Sequence, residues 1–132
     1  MSDDRLALQD LLARYAAAVD DRDRESYAAC FTEDVEVIGF GEGTMRGSET
    51  WVNYVWSALN KYSATQHLLG QQLADIDGDR ATARTEVQAV HVLADSGGRF
   101  TLWATYLSDM RRTDAGWKIA RHELRVRATE EH

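Results

Sequence analysis

His67 stands early in the run Thr65-Gln66-His67-Leu68-Leu69-Gly70, Asp20 closes an apolar helical stretch that also carries Tyr15, and His91 falls late in a second strand-like run. These residue types do proton-transfer chemistry. Histidine titrates near neutrality, and a carboxylate partner fixes its tautomer and raises its basicity. A nearby phenol or second imidazole can donate to an oxygen on which charge develops. Tyr, Asp and two His from separate elements of one apolar chain therefore mark a candidate acid/base site.

The period of two along a strand sorts the histidines by face. His91 lies with Ala89, Val87, Thr85 and Ala83, opposite Gln88, Glu86 and Arg84. His67 shares its face with Thr65 and Leu69, and His122 with Ala120, Leu124 and Val126. The fourth histidine, His132, ends the chain and is expected to be disordered. Tyr15 and Asp20, five residues apart, do not superpose on a regular helix and would bracket a pocket mouth. A metal is a competing use of Asp20, His67, His91 and His122. No His-x-x-x-His spacing supports it, and no metal is expected. Gly41-Glu42-Gly43 reads as a turn without the strand-to-helix context of a nucleotide loop.

The elements that must position these groups follow from periodicity. Residues 4–19 form an amphipathic helix on Leu8, Leu11, Leu12, Tyr15, Ala16 and Val19, with Asp3 and Asp4 at its start. Asp20-Asp21-Arg22-Asp23 breaks it, and Asp23 caps a short second helix through Tyr27 to Phe31. Val35, Val37 and Ile38 make a short strand, Gly39 to Gly43 turns the chain, and Gly47-Ser48 opens a third helix through Leu59. From Thr65 the period is two: strands are predicted at 65–76, 80–93, 99–112 and 117–127, separated by Asp77-Gly78, Ser96-Gly97-Gly98 and Asp114-Ala115-Gly116. Helices followed by a long meander predict an α+β fold, with helices packed on a sheet curved into a cone. Its interior would be lined by Val19, Val35, Val37, Trp51, Val55 and Leu69, and on later strands by Ala89, Trp103, Ala104, Tyr106 and His122. Such a surface suits a small, mostly apolar, cyclic substrate.

A chain of 132 residues fits one domain spanning 1–132. The net charge of −7 argues against nucleic acid, whose phosphates call for Lys and Arg. The basic clusters at Arg111-Arg112 and Arg121 to Arg127 alternate between strand faces. Cys30, the single cysteine, sits between Ala29 and Phe31 and reads as a core residue in a reducing compartment. The acidic Met1-Ser2-Asp3-Asp4 start lacks the basic region of a signal peptide, and no apolar run is long enough to span a bilayer. A soluble, cytoplasmic protein without membrane contact is expected. The polar row Thr82, Arg84, Glu86 and Gln88 could face a second copy, giving a homodimer or homotrimer.

With these residues in view, the whole chain resembles the NTF2-like superfamily, in its SnoaL-like branch that includes scytalone dehydratase. The resemblance rests on Tyr15 followed by Ala18-Val19-Asp20, on Phe31-Thr32-Glu33-Asp34, and on Gly47-Ser48. It continues through Thr65-Gln66-His67, His91 and Asp114-Ala115-Gly116-Trp117-Lys118-Ile119-Ala120. It implies the NTF2-like cone, an Asp20–His67 pair, a second pocket histidine at His91, and a tyrosine at Tyr15 as in steroid-type dehydratases. Related dehydrochlorinases place an arginine on the last strand, where this chain has His122. The tyrosine preceding the dehydratase's Asp is Val19 here, and its Ser and Asn on the penultimate strand are Ala104 and Tyr106. Those departures argue against scytalone itself as ligand. Where ketosteroid isomerase carries its base, this chain reads Ile38-Gly39.

The chemistry expected is that His67, held by Asp20, removes a proton next to a carbonyl. Tyr15 or His91 then polarises that oxygen or protonates a departing hydroxyl. The result is a β-elimination of water without cofactor. An aldol-type cyclisation or an isomerisation begins with the same enolate. A ligand-binding or enzyme-subunit role is the non-catalytic alternative.

Overall fold

The computed structural model describes residues 3–41 and 43–132; Met1 and Ser2 of the acidic start, and Glu42 of the expected Gly41-Glu42-Gly43 turn, lie outside the described residues. In chain order the elements are α1 (Asp4–Asp20), α2 (Arg24–Ala28), β1 (Phe31–Ile38), β2 (Thr44–Arg46), α3 (Ser48–Leu59), β3 (Tyr62–Asp77), β4 (Arg80–Leu93), β5 (Arg99–Thr113) and β6 (Gly116–Glu131). The six strands form one sheet in the order β2-β1-β6-β5-β4-β3. β1 runs parallel to β6, and every other pair is antiparallel. This is the expected α+β cone.

Asp3 caps α1 through its side chain, which accepts from the Leu6 N–H, and Asp23 caps α2 by accepting from Ser26. α2 stops at Ala28 rather than continuing to Phe31. Phe31 already pairs with Ile119 of β6, and the Ile119 N–H donates to the Cys30 carbonyl at 2.8 Å. The three-residue β2 was not anticipated. Gly39 closes β1 at φ +91°, and a Cβ there would stand 2.4 Å from the Leu124 carbonyl oxygen, so only glycine lets β1 and β6 approach.

The inward row of β4 is small: Ala81, Ala83, Thr85, Val87 and Ala89 are all buried. That leaves room for rings from other elements. Tyr15 of α1, Tyr27 of α2, Phe31 of β1, Trp51 of α3 and Tyr106 of β5 fill the concave side. Tyr15 meets Tyr27 at 5.0 Å, Phe31 at 5.8 Å and Tyr106 at 5.4 Å between ring centroids. Cys30 is buried, and burial pushes its thiol up to about 11, so it is an inert core residue. Register shifts between Leu69 and Gln72 in β3, and in β6 opposite Trp103/Ala104 and Asp109/Met110 of β5, mark the bulges that bend the sheet.

Two expectations need correction. His132 is ordered: its backbone exchanges hydrogen bonds with Arg99, and its Nε2 lies 3.0 Å from the Thr101 hydroxyl. Trp103 pairs with Gln88 and so stands on the outer face of the sheet, beside Leu68, Glu86 and Arg127. No helix among the described residues is long and apolar enough to cross a membrane.

Candidate active site

Cross-strand pairing lays the inward residues in rows. One row runs Thr65–His91–Phe100 across β3, β4 and β5, with His67 and Ala89 paired next to it. A second runs Ala83–Ser108–His122–Val37 across β4, β5, β6 and β1. The first row lies near the end of α1, and the second lies under the helices.

α1 delivers Asp20 to the first row. Its carboxylate accepts the His67 backbone N–H on Oδ2 at 2.8 Å, and Oδ1 lies 2.8 Å from His67 Nδ1. The Thr65 hydroxyl donates to the same Oδ1 at 3.0 Å. Burial would raise the Asp20 pKa, but the bonds from the His67 ring and backbone and from Thr65 outweigh it and hold the carboxyl below its usual value. An ionised Asp20 takes the proton on His67 Nδ1 as a donor, which leaves Nε2 as the acceptor. The two side chains are only 12 % and 19 % exposed. No protein partner of Nε2 is found among the described residues.

His91 packs with its ring 5.9 Å from that of His67 and 4.8 Å from Tyr62. Its Nδ1 donates to the Phe100 carbonyl at 3.1 Å, so the neutral ring also presents Nε2 as an acceptor. Burial lowers its pKa; the Phe100 bond opposes this, and the nearby His67 and Arg22 charges add to the lowering. The balance favours the neutral form of His91.

The end of α1 shows how Arg22 enters. The Asp23 N–H donates to the Ala18 carbonyl at 2.8 Å and the Arg22 N–H to Val19 at 3.2 Å, a Schellman closure. Arg22 occupies its left-handed position at φ +59°, where glycine is usual; it is the one non-glycine residue with positive φ among those described. That conformation costs an L-residue on the order of 1 kcal/mol. The guanidinium Nη1 donates to the Val19 carbonyl at 2.6 Å and to the Thr65 hydroxyl at 2.9 Å. A chain Arg22–Thr65–Asp20–His67 results.

Tyr15 and His122 belong to the other row. Tyr15 Oη lies 2.9 Å from His122 Nε2, and Ser108 Oγ lies 3.0 Å from His122 Nδ1. His122 is wholly buried and burial pushes its pKa down to about 3, so it is neutral and donates to one hydroxyl while accepting from the other. Burial also raises the Tyr15 and Tyr106 phenols well above their usual range. Tyr106 packs against both Tyr15 and His122, at 5.4 Å and 4.7 Å between ring centroids. With both nitrogens of His122 engaged, it does not join Asp20, His67 and His91. Among the described residues no group of three or more His, Cys, Asp or Glu is arranged to hold a metal.

Of the expected lining, Val19, Val35, Val37, Trp51, Ala89, Ala104 and Tyr106 are buried, whereas Val55 and Leu69 are partly exposed at the edge of the core. The residues that sequence reasoning left without a role are Thr65, Arg22 and Ser108. Thr65 was legible as a same-face neighbour of His67; Arg22 and Ser108 carried no signal.

A family profile described as a SnoaL-like domain matches residues 1–123. Over 127 residues the chain is 31% identical to an uncharacterized protein of Mycobacterium tuberculosis, spanning 89% of this chain and 82% of that one. A solved structure of a scytalone dehydratase candidate from Novosphingobium aromaticivorans superposes with a TM-score of 0.91 at 23% identity, covering 98% of this chain and 87% of that one. A hexachlorocyclohexane dehydrochlorinase from Novosphingobium barchaimii gives 0.86 at 22% identity, covering 98% and 90%. At these identities the two structures establish a common fold.

Proposed function

Because the chain belongs to the SnoaL-like family of the NTF2-like fold, we propose that it is a cofactor-independent lyase that eliminates water from a small, mostly apolar carbonyl compound. The observation that carries this reading is the double hold of Asp20 on His67, at 2.8 Å to the backbone N–H and 2.8 Å to Nδ1, with Nε2 left as acceptor. His67 Nε2 takes the proton from the carbon next to the carbonyl, and the C–H electron pair moves into the enolate. The enolate then collapses, the Cβ–O bond breaks, and the departing hydroxyl takes the proton back from the His67 imidazolium to leave as water. Asp20 holds the ring in one tautomer and offsets its charge while the proton is carried.

His91, an acceptor at Nε2, orients a hydroxyl of the substrate. The dehydratase and dehydrochlorinase among the structural neighbours support an elimination over other uses of the same enolate.

The test is a panel of cyclic β-hydroxyketones in D₂O, followed by NMR for deuterium at the α-carbon and for the unsaturated product. Asp20→Asn and His67→Gln should each slow exchange and elimination by about 10²- to 10⁴-fold. Wild-type rates unchanged by both substitutions, or no exchange across the panel, would overturn the reading. A second reading is ligand binding without turnover, because a SnoaL-like domain by itself fixes no activity. It predicts ligand-induced thermal stabilisation with no exchange.

The outer face of the sheet supports self-association. Leu68 is 64 % exposed and lies beside Trp103 around a groove that also holds Glu86 and Arg127.

A further inference from the structure

Two buried donors among the described residues lack a hydrogen-bond partner: Trp51 Nε1 and Arg22 Nη2. Trp51 is boxed in by Phe31, Phe40, Tyr54 and His122. Arg22 stands elsewhere, one hydroxyl away from the carboxylate that holds His67.

We propose that Arg22 is a substrate-binding residue, and that its Nη2 receives an oxyanion of the substrate: a carboxylate, or the enolate oxygen formed when His67 takes the proton. Three observations carry this. First, the two polar arms of the guanidinium differ. Nη1 is made fast to Val19 and Thr65, while Nη2 is shut off from solvent and from every protein acceptor among the described residues. A buried donor left unpaired is costly and calls for an acceptor from outside the chain. Second, the helix terminus does not need an arginine. The closure made by Asp23 and Arg22 is a backbone motif that glycine fits without strain, yet the chain holds a left-handed arginine there. Third, the site lacks an electrophile. His67 and His91 both present acceptors, and the Tyr15 hydroxyl is engaged by His122. A permanently charged fork beside Thr65, whose cross-strand partner is His91, supplies the positive charge that an enolate requires.

The proposal rests on the lyase reading and deepens it: the substrate class narrows to carbonyl compounds whose acidic C–H adjoins a planar oxygen pair or an enolisable oxygen. Benzoate and benzamide make a suitable probe pair, because both are flat ring compounds and only one is an anion. Each is titrated into the full chain while the imidazole nitrogens of His67 and His91 are followed by NMR. Wild type should bind benzoate about tenfold more tightly than benzamide, in line with a charge-assisted contact to Nη2. Arg22→Gln should erase that preference with benzamide affinity retained, and Arg22→Lys should restore part of it, since it keeps the charge without the fork. Equal affinities in wild type, or a preference that survives Arg22→Gln, would overturn the assignment. If benzamide moves the His67 signals and benzoate gains nothing, Arg22 loses its role while the lyase reading stands. Silence from both probes removes the site itself, and with it both proposals.

Discussion

His67 and His122 are both inward-facing strand histidines with two engaged or available nitrogens, but they occupy opposite situations. His122 is wholly buried, neutral, and held between the hydroxyls of Tyr15 and Ser108. His67 is slightly exposed, held by a carboxylate on one nitrogen, with the other without a protein partner among the described residues. The contrast separates a histidine that packs from one that can react. Two hydroxyl partners satisfy a neutral ring completely and leave it nothing to do. One carboxylate satisfies half of it and aims the other half outward.

The largest effects should fall on opposite assays. His122→Leu leaves the Tyr15 and Ser108 hydroxyls buried without their partner, and should lower unfolding free energy by roughly 2–5 kcal/mol, read from urea denaturation. His67→Gln should change stability by less than about 1 kcal/mol, since Gln keeps a side-chain donor and the Thr65 hydroxyl and the backbone N–H of residue 67 still hold Asp20, while slowing proton exchange as described above. Should His67→Gln prove the more destabilising of the two, the division between packing and reacting histidines would not hold.

A sharper version uses acid. The unfolded chain protonates His122 near pH 6.5, whereas the folded chain does so near 3, so its contribution to stability is complete above pH 6.5. It is lost as pH falls through that window, by roughly 1.4 kcal/mol per pH unit for one proton. His91, lowered by burial, acts in the same direction, and Asp20, held below its usual value, matters only in stronger acid. His122→Gln should therefore flatten the stability profile between pH 7 and 5, and urea midpoints at a series of pH values would show it. A profile as steep as wild type would assign the slope to other groups.

The smallest expected effect on the fold separates the two faces of the sheet. Leu68→Lys, on the outer face, should leave monomer stability within about 0.5 kcal/mol. It should shift the sedimentation coefficient towards monomer. An unchanged sedimentation profile would remove the outer face as the site of self-association.

Much of this arrangement is legible in the sequence, and the exceptions have physical reasons. Apolar spacing places α1 and α3, and the change of period at Thr65 announces four long strands. The pairing of Asp20 with His67 came from likeness to a family, because residues that far apart carry no local sign of contact. Trp103 and Ala104 were both assigned to the interior, although neighbours on a strand face opposite ways. The register shift between them is invisible in composition, and only pairing with Gln88 shows that Trp103 faces out. β2 escaped because three residues between glycines give no period to read. Arg22 escaped because an arginine in an acidic turn looks like a solvated charge, and its left-handed backbone is a property of the helix end.

The parallel pairing of β1 with β6 has a consequence in time. β6 is the last strand made, yet it takes its place between β1 and β5, and it brings His122 to a tyrosine 107 positions earlier. Until it arrives, β1 has only short β2 beside it, and the ring cluster around Tyr15 has no floor. Contacts this remote in sequence make folding slow relative to helical chains. The growing polypeptide must therefore keep the apolar residues of α1, α2 and β1 from wrong partners until β6 has been made.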